Sequence, residues 1–342
     1  HHKYVEKAEK LKIEVINEVE MAYRLLPKDV TLVSITGTNG KTTTTTLTYE
    51  MIKEEGIRCH LAGNIGYPLC SFLDKLKKDD VIVMETSCQQ LNNVKEFKPH
   101  IAVMTNLSEA HVDFFDNSYR KYKDVKTKIF KNQTKDDIAI LNLENDEVLK
   151  QTENIKSKKL YFSSKKKADC YLKDDIIYYN DEEVLDTNKM IIVGNHNKEN
   201  VMASIMVAKE FNVSNETIRK VAYNFKGVEH RLEFSGEVDG VKYYNDTEAT
   251  NIKCTQIALS SFNKPTIIIL GGLERGQDFN ELTPYMKNVK AVLAIGECRK
   301  RVEDYAKSLK IPVYTHEFLK DAMKEIEGIK KSGDVVLLSP AS

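Results

Sequence analysis

The stretch TLVSITGTNGKTTTTT, residues 31–46, leaves this chain few folds to choose from. LVSI is a short apolar run of the kind buried inside a sheet. TGTNGKT follows it and leads into a helix-forming segment, so a strand, a glycine turn and a helix start meet at one point. Gly37 and Gly40 let the backbone turn tightly and approach an anion. The first N–H groups of the helix and its dipole favour negative charge, and Lys41 adds a cation. That arrangement holds a phosphate. Ile35 stands where the common G-x-x-x-x-G-K-[ST] loop has its first glycine, so the loop reads as a shortened variant. Its candidate nucleotide-binding residues are Gly37, Thr38, Asn39, Gly40, Lys41, Thr42 and Thr43, with Lys41 on the terminal phosphates and the Thr42 hydroxyl on Mg²⁺. A switch, a motor, a kinase and a ligase would all fit this loop.

The order of elements around the loop sets the fold class. TLVSIT, DVIVMET, IAVMTNL and DIAILNL read as buried strands alternating with helical segments, the pattern of an α/β domain with a parallel sheet covered on both faces. Between about 158 and 193 the runs KLYFSS, CYLKDDIIYYNDEEVLD and MIIV predict an added antiparallel portion. Two helices follow, then KGVEHRLEF as a hinge near 227. A second, Rossmann-like α/β series comes next, with strands in GVKYYND, PTIIILGG, VKAVLAIG, IPVYTH and DVVLLSP. Residues 1–28 predict a helix, a strand and a helix that cannot make a core alone.

Lysine plus arginine equals aspartate plus glutamate at 51 each, so no global field recruits nucleic acid or an anionic membrane, and an anion must be bound by local geometry. The lysine tract KSKKLYFSSKKKAD carries no aromatic stacking pattern and reads as solvated surface. The six cysteines include no C-x-x-C pair, which argues against a zinc or disulfide framework and suits reduced thiols. No apolar run approaches the ~20 residues of a membrane span. A soluble, cytoplasmic protein with small-molecule partners is expected.

In an open α/β sheet the ligand crevice lies at the carboxyl ends of the strands, so polar residues just past each strand are the candidates. Glu85 ends a strand beside the phosphate loop, placed either to complete a Mg²⁺ shell or to cap a helix. His111, between Glu109 and Asp113, reads as a metal ligand or as a structural histidine. Lys126 lies in YRKYKDVKTKIF and by composition is one solvated lysine among several.

Taken together, GTNGKTTT, GNIG, ETSCQQL, TNLSEAHVD, VKTKIF, GNHNKENVMA, HRLE, YNDTEATN, GGLERGQDF and LLSPAS resemble, in order, the motifs of the Mur ligase family of peptidoglycan synthesis. NDTEATN, GGLERGQDF and LLSPAS are most similar to the D-glutamate-adding members. The resemblance implies a remnant of an N-terminal UDP-binding domain at 1–28, a central ATPase domain at 29–227 and a C-terminal ligase domain at 228–342, incomplete at its end. It implies ATP and Mg²⁺ as cofactors, UDP-N-acetylmuramoyl-L-alanine and D-glutamate as substrates, an acyl-phosphate intermediate and a monomer. Catalytic roles fall on Lys41, Glu85, His111 and Lys126, with Thr42, Glu85, His111 and a carbamylated Lys126 toward metal. Asn197 and Asn200 fall on the stretch that contacts adenine, and Arg231 and Asp246 on contacts to phosphate and ribose. Asn64, Ser87, Thr250 and Arg275 fall on substrate-side positions. Glu248 departs from the pattern, standing where the family has lysine. The alternatives are a sister Mur or folylpolyglutamate-type ligase, or a nucleotide-binding module that has lost catalysis.

Overall fold

Strands buried on both faces are nearly continuous apolar runs, and the four runs singled out above are of this kind, with Ser34 buried in β1's run through a hydrogen bond to the Thr86 hydroxyl (2.6 Å). In the computed structural model, which describes residues 3–108, 115 and 118–342, they form the centre of a nine-stranded sheet. Its strands are β1 (Thr31–Thr36), β2 (Cys59–Gly63), β3 (Val81–Glu85), β4 (Ile101–Met104), β5 (Ile138–Asn142), β6 (Lys158–Ser163), β7 (Cys170–Lys173), β8 (Ile176–Tyr179) and β9 (Glu182–Asp186). Their order is β2-β3-β1-β4-β5-β6-β7-β8-β9. All neighbours are parallel up to β7, and only β7–β8 and β8–β9 are antiparallel.

The helices of this part are α1 (Lys3–Lys10), α2 (Glu18–Leu25), α3 (Lys41–Glu54), α4 (Cys88–Asn92), α5 (Tyr119–Thr127), α6 (Asp146–Gln151), α7 (Asn195–Glu210) and α8 (Asn215–Asn224). Successive strand residues point to opposite faces. Leu32, Ile82, Met84, Ala102, Met104, Ala139 and Leu141 join Val19 and Ala22 of α2, Leu91 of α4 and Tyr122 and Val125 of α5 in one core. The alternate residues Val33, Ile35, Val83, Val103 and Ile140 are equally buried on the other face. There α3 packs on β1, β2 and β3, and α7 lies beside α3 through a hydrogen bond from Ser204 Oγ to the Thr44 carbonyl. An unbroken run from Val201 to Ala208 is buried in α7, as an inner helix requires.

The chain divides into two compact units, His1–Lys189 with His196–Tyr223, and Met190–Asn195 with Asn224–Ser342. The second has a six-stranded sheet of β10 (Glu233–Val238), β11 (Val241–Asn245), β12 (Thr266–Leu270), β13 (Val289–Ala294), β14 (Val313–Thr315) and β15 (Val335–Leu338). Their order is β10-β11-β15-β12-β13-β14, with β10 antiparallel and the rest parallel. Its helices are α9 (Ile252–Ser260), α10 (Arg299–Ser308) and α11 (Leu319–Ile329). Ile268 and Leu270 face the core that holds α9 and α10, while Ile267 and Ile269 face that of α11.

Several expectations need correction. KLYFSS is not part of a hairpin, because β6 pairs in parallel with both β5 and β7. MIIV forms no strand, and neither does the segment between α1 and α2. CHLAG and EFSGEV, unmarked in the sequence, are β2 and β10. The two-residue turns of the β7–β8–β9 meander place Asp174, Asp175, Asn180 and Asp181 at positive φ. The tract lysines Lys156, Lys165, Lys166 and Lys167 are exposed.

Glu20 anchors α2 to this body. Its fully buried carboxylate accepts N–H groups from Lys95 (2.9 Å), Glu96 (2.9 Å) and Phe97 (3.1 Å), and the Arg24 Nε–H (2.9 Å). Burial alone would raise its pKa, but these donors outweigh burial and hold it below the usual glutamate value. The stability it contributes is therefore present above the unfolded pKa and is lost as pH falls through the lower native one. Glu20→Ala removes the acceptor of the buried Phe97 N–H and of the part-buried Lys95 and Glu96 N–H groups, and should cost about 2–4 kcal/mol. Denaturant unfolding at pH 7 measures it, and a loss below about 1 kcal/mol would contradict the anchor.

Candidate functional site

The order β3-β1-β4 makes β1 the point where the connections reverse, so the crevice of the first sheet opens at the end of β1, where the glycine loop sits. The loop is held from the side by the segment after β4. A Cβ on Gly37 (φ +151°) would lie 1.9 Å from Thr105 Oγ1, and one on Gly40 (φ +80°) 2.2 Å from Asn200 Oδ1. Neither position accepts a side chain. Thr38 N–H donates to the Asn106 carbonyl (2.9 Å), and its hydroxyl bonds Ser108 N–H (2.9 Å) and Tyr122 OH (3.0 Å). Thr38 therefore docks the loop through both its backbone and its hydroxyl. The Lys41 ammonium donates to the Thr38 carbonyl (2.9 Å). Thr42 and Thr43 stand half-buried in the first turn of α3, where backbone N–H groups have no intrahelical acceptor.

Glu85 is the last residue of β3 and is 1 % exposed. It caps no helix. Asn64 Nδ2 donates to its Oε1 (2.8 Å), and its Oε2 is buried without a hydrogen-bond partner among the described residues. A buried carboxylate oxygen left unpaired beside a phosphate loop is what a hard cation would complete. Among the described residues no three His, Cys, Asp or Glu side chains converge on one point. Phosphate and water oxygens would help to complete the shell of a cation held here, as they do for Mg²⁺.

Lys126 is not solvated. It is 1 % exposed, lies over the Tyr122 ring, and donates to the Gly37 carbonyl at 2.7 Å. Burial, reinforced by the positive charge of Lys41, pushes its pKa down to about 7. The free amine of Lys126 is therefore within reach near neutral pH. His111 lies outside the described residues, as do Glu109 and Asp113. Ser87 is the N-cap of α4 in a capping box with Gln90, which leaves its hydroxyl partly committed. Asn200 and Asn197 meet on α7, and Asn200 Oδ1 accepts the Thr44 hydroxyl at 3.3 Å.

In the second unit, Asp246 follows β11 and is 8 % exposed. Its oxygens accept Leu232 N–H (3.0 Å) and the Ser339 hydroxyl (2.7 Å), tying the ends of β11 and β15 to the 230–232 turn. Arg231 pairs with Glu248 at 3.4 Å, both half-exposed, so the residue that departs from the family pattern partly neutralises its neighbour. Thr250 and Arg275 are exposed in the loops after β11 and β12. A cavity of about 450 Å³ lined by Tyr243, Leu319 and Met323 and one of about 680 Å³ at the β2 edge include none of the expected site residues.

Residues 35–208 match the Mur ligase middle domain, and residues 230–342 match the Mur ligase glutamate ligase domain. The chain belongs to the Mur ligase family. Among its relatives, the UDP-N-acetylmuramoylalanine--D-glutamate ligase of Enterococcus hirae is 41% identical over 348 residues, covering 100% of this chain and 75% of that protein. The enzyme of the same name from Listeria monocytogenes serotype 4b is 42% identical over 340 residues, covering 98% and 74%. The fold is that of UDP-N-acetylmuramate-alanine ligase from Thermotoga maritima, with a TM-score of 0.69 at 18% identity over 99% of this chain and 79% of that one. It is also that of E. coli FolC solved with DHPP and ADP, with a TM-score of 0.68 at 13% identity over 96% and 90%. No helix among the described residues of this Mur ligase is long and apolar enough to cross a membrane.

Burial raises the Asp246 pKa from 3.8 to about 6, against the opposing pull of Ser339, Leu232 and Arg231. A raised acid makes the native state most stable, relative to the unfolded chain, below 3.8, and that advantage is lost as pH rises through about 6. Asp246→Asn mimics the protonated form. At pH 7.5 it should be at least as stable as the parent, by up to about 3 kcal/mol, with the difference closing as pH falls toward 4. A large destabilisation at pH 7.5 in denaturant melts would show that the charge itself is needed.

Proposed function

We propose that this Mur ligase joins D-glutamate to UDP-N-acetylmuramoyl-L-alanine at the expense of ATP. The observation that carries the reading is identity of 41% across the whole chain to ligases named for that reaction, together with the phosphate loop, Glu85 and Lys126 gathered at one switch point. The solved structures support the fold alone, since a FolC-type enzyme shares it.

A carboxylate is a poor electrophile toward an amine. An oxygen of the acceptor carboxylate attacks the γ-phosphorus of ATP, the bond to the bridging oxygen breaks, and ADP leaves. The acyl phosphate so formed is attacked by the D-glutamate amine. The tetrahedral intermediate collapses, inorganic phosphate leaves and a proton is lost from nitrogen. Negative charge accumulates on oxygen throughout, so the residues needed are electrostatic rather than nucleophilic. Lys41 and the first-turn N–H groups of α3 take the phosphates. Asn197 and Asn200 would take the adenine side, and Arg231 and Asp246 would serve the phosphate and ribose. Asn64 and Ser87 would serve the acceptor, and Thr250 and Arg275 the incoming amino acid.

Thr42, Glu85, His111 and Lys126 would hold Mg²⁺, which when bound withdraws charge from phosphate and carboxylate oxygens. For Lys126 the reading includes a carbamate. Its free amine adds to carbon dioxide, a C–N bond forms and a proton is released, so the buried cation becomes an anion that binds a hard metal through oxygen. The lowered Lys126 pKa supplies the amine.

Phosphate release should require ATP, UDP-N-acetylmuramoyl-L-alanine and D-glutamate together. Release with L-glutamate and a folate acceptor instead would replace this reading with the folylpolyglutamate type. Lys41→Ala should abolish ATP binding in calorimetry. Lys126→Arg should bind ATP but lose ligation by at least about a hundredfold, and ¹³C NMR in labelled bicarbonate should show one adduct that the variant lacks. Ligation by Lys126→Arg near the parent rate would remove the carbamate from the mechanism.

A further inference from the structure

We propose that Asn106 is a positioning residue for the nucleotide: its side-chain amide clamps the Asn39 peptide and thereby sets the curvature of the phosphate loop before ATP arrives. The inference rests on the nucleotide half of the proposed function and is independent of the acceptor.

Thr38 and Asn39 sit between two glycines, Gly37 and Gly40, both at positive φ. Two such residues make swivels, so the intervening peptides have no conformation of their own. The segment after β4 supplies one. Asn106 Oδ1 accepts Asn39 N–H at 2.9 Å and Asn106 Nδ2 donates to the Asn39 carbonyl at 3.0 Å, so the side chain pairs with the peptide as a neighbouring strand would. The N–H donor fixes which way the amide points. Thr105 Oγ1 adds a second donor to the same carbonyl at 2.6 Å, and the Asn106 carbonyl takes Thr38 N–H. Both N–H groups are thereby drawn toward β4, and the N–H groups aimed at an anion are those of the following helical turn. Ordering the loop in advance removes that entropy from the cost of binding.

Asparagine alone provides this pairing at this length. Leucine keeps the shape and offers neither bond. Aspartate accepts from Asn39 N–H, cannot donate to its carbonyl, and brings negative charge toward the phosphates.

The test is the Kd for Mg·ATP by calorimetry, read beside KM for ATP, KM for D-glutamate and the melting temperature. In Asn106→Leu the Kd and KM for ATP should rise about tenfold to a hundredfold, with KM for D-glutamate unchanged. Asn106→Asp should lose at least as much. A lowered melting temperature with Kd for ATP within about twofold of the parent would overturn the proposal, because it would make Asn106 a fold residue only. If Asn106→Leu does not fold, the Thr105 pair decides. Thr105→Ser, which keeps the hydroxyl, should bind ATP as the parent does, and Thr105→Val should bind it several-fold more weakly. Equal affinity in both would also overturn the clamp. Weakened ATP binding in a protein that fails to ligate D-glutamate would leave the clamp standing and remove only the assigned reaction.

Discussion

A glycine loop at the end of a strand has no shape of its own; it takes the shape its neighbours impose. Here the neighbours are the end of β4, which holds Thr38 and Asn39, and α5, whose Lys126 holds the Gly37 carbonyl. The sheet order makes this possible. With β1 between β3 and β4, the loop is flanked by the last residues of both, so Glu85 on one side and Thr105 on the other meet it without any long excursion of the chain. The opposite face contributes Asn200, close enough to Gly40 to exclude a side chain there. Four separate elements thus define one turn of backbone.

The burial of Lys126 shows how such a site acquires chemistry from packing. By composition nothing in its own helix distinguishes it from Lys121 or Lys123. Set against Tyr122 and the loop, and facing the charge of Lys41, it becomes a weak acid near neutrality. Glu85 makes the complementary case, a carboxylate enclosed with one oxygen paired and one not.

The central strands were legible because burial on both faces favours nearly continuous apolar runs, and the loop because glycine, lysine and threonine at that spacing carry their own geometry. β2 escaped notice because CHLAG has a histidine, a cysteine and a glycine in five residues and earns its place only by pairing with β3. β10 escaped because EFSGEV is half-exposed and carries a bulge. KLYFSS has strand composition, but composition cannot tell a parallel partner from an antiparallel one. The clamp by Asn106 had no sequence signal, since an asparagine after a strand looks like any turn residue until its partners are known. Solvation of Lys126 was the natural reading of a lysine-rich helix, and only tertiary contacts reverse it.

The β7–β8–β9 meander, with its two-residue turns, bears on the timing of assembly. Strands joined by such turns meet within about microseconds, because little chain must be closed. β1, by contrast, must find Val81 of β3 and Ile101 of β4 across whole intervening helices before its register is fixed. The outer edge of the nine-stranded sheet can therefore take form as a local unit while its centre is still open. The phosphate loop, which needs β1, β3, β4 and α5 all in place, belongs to the slowest part of the sheet to assemble.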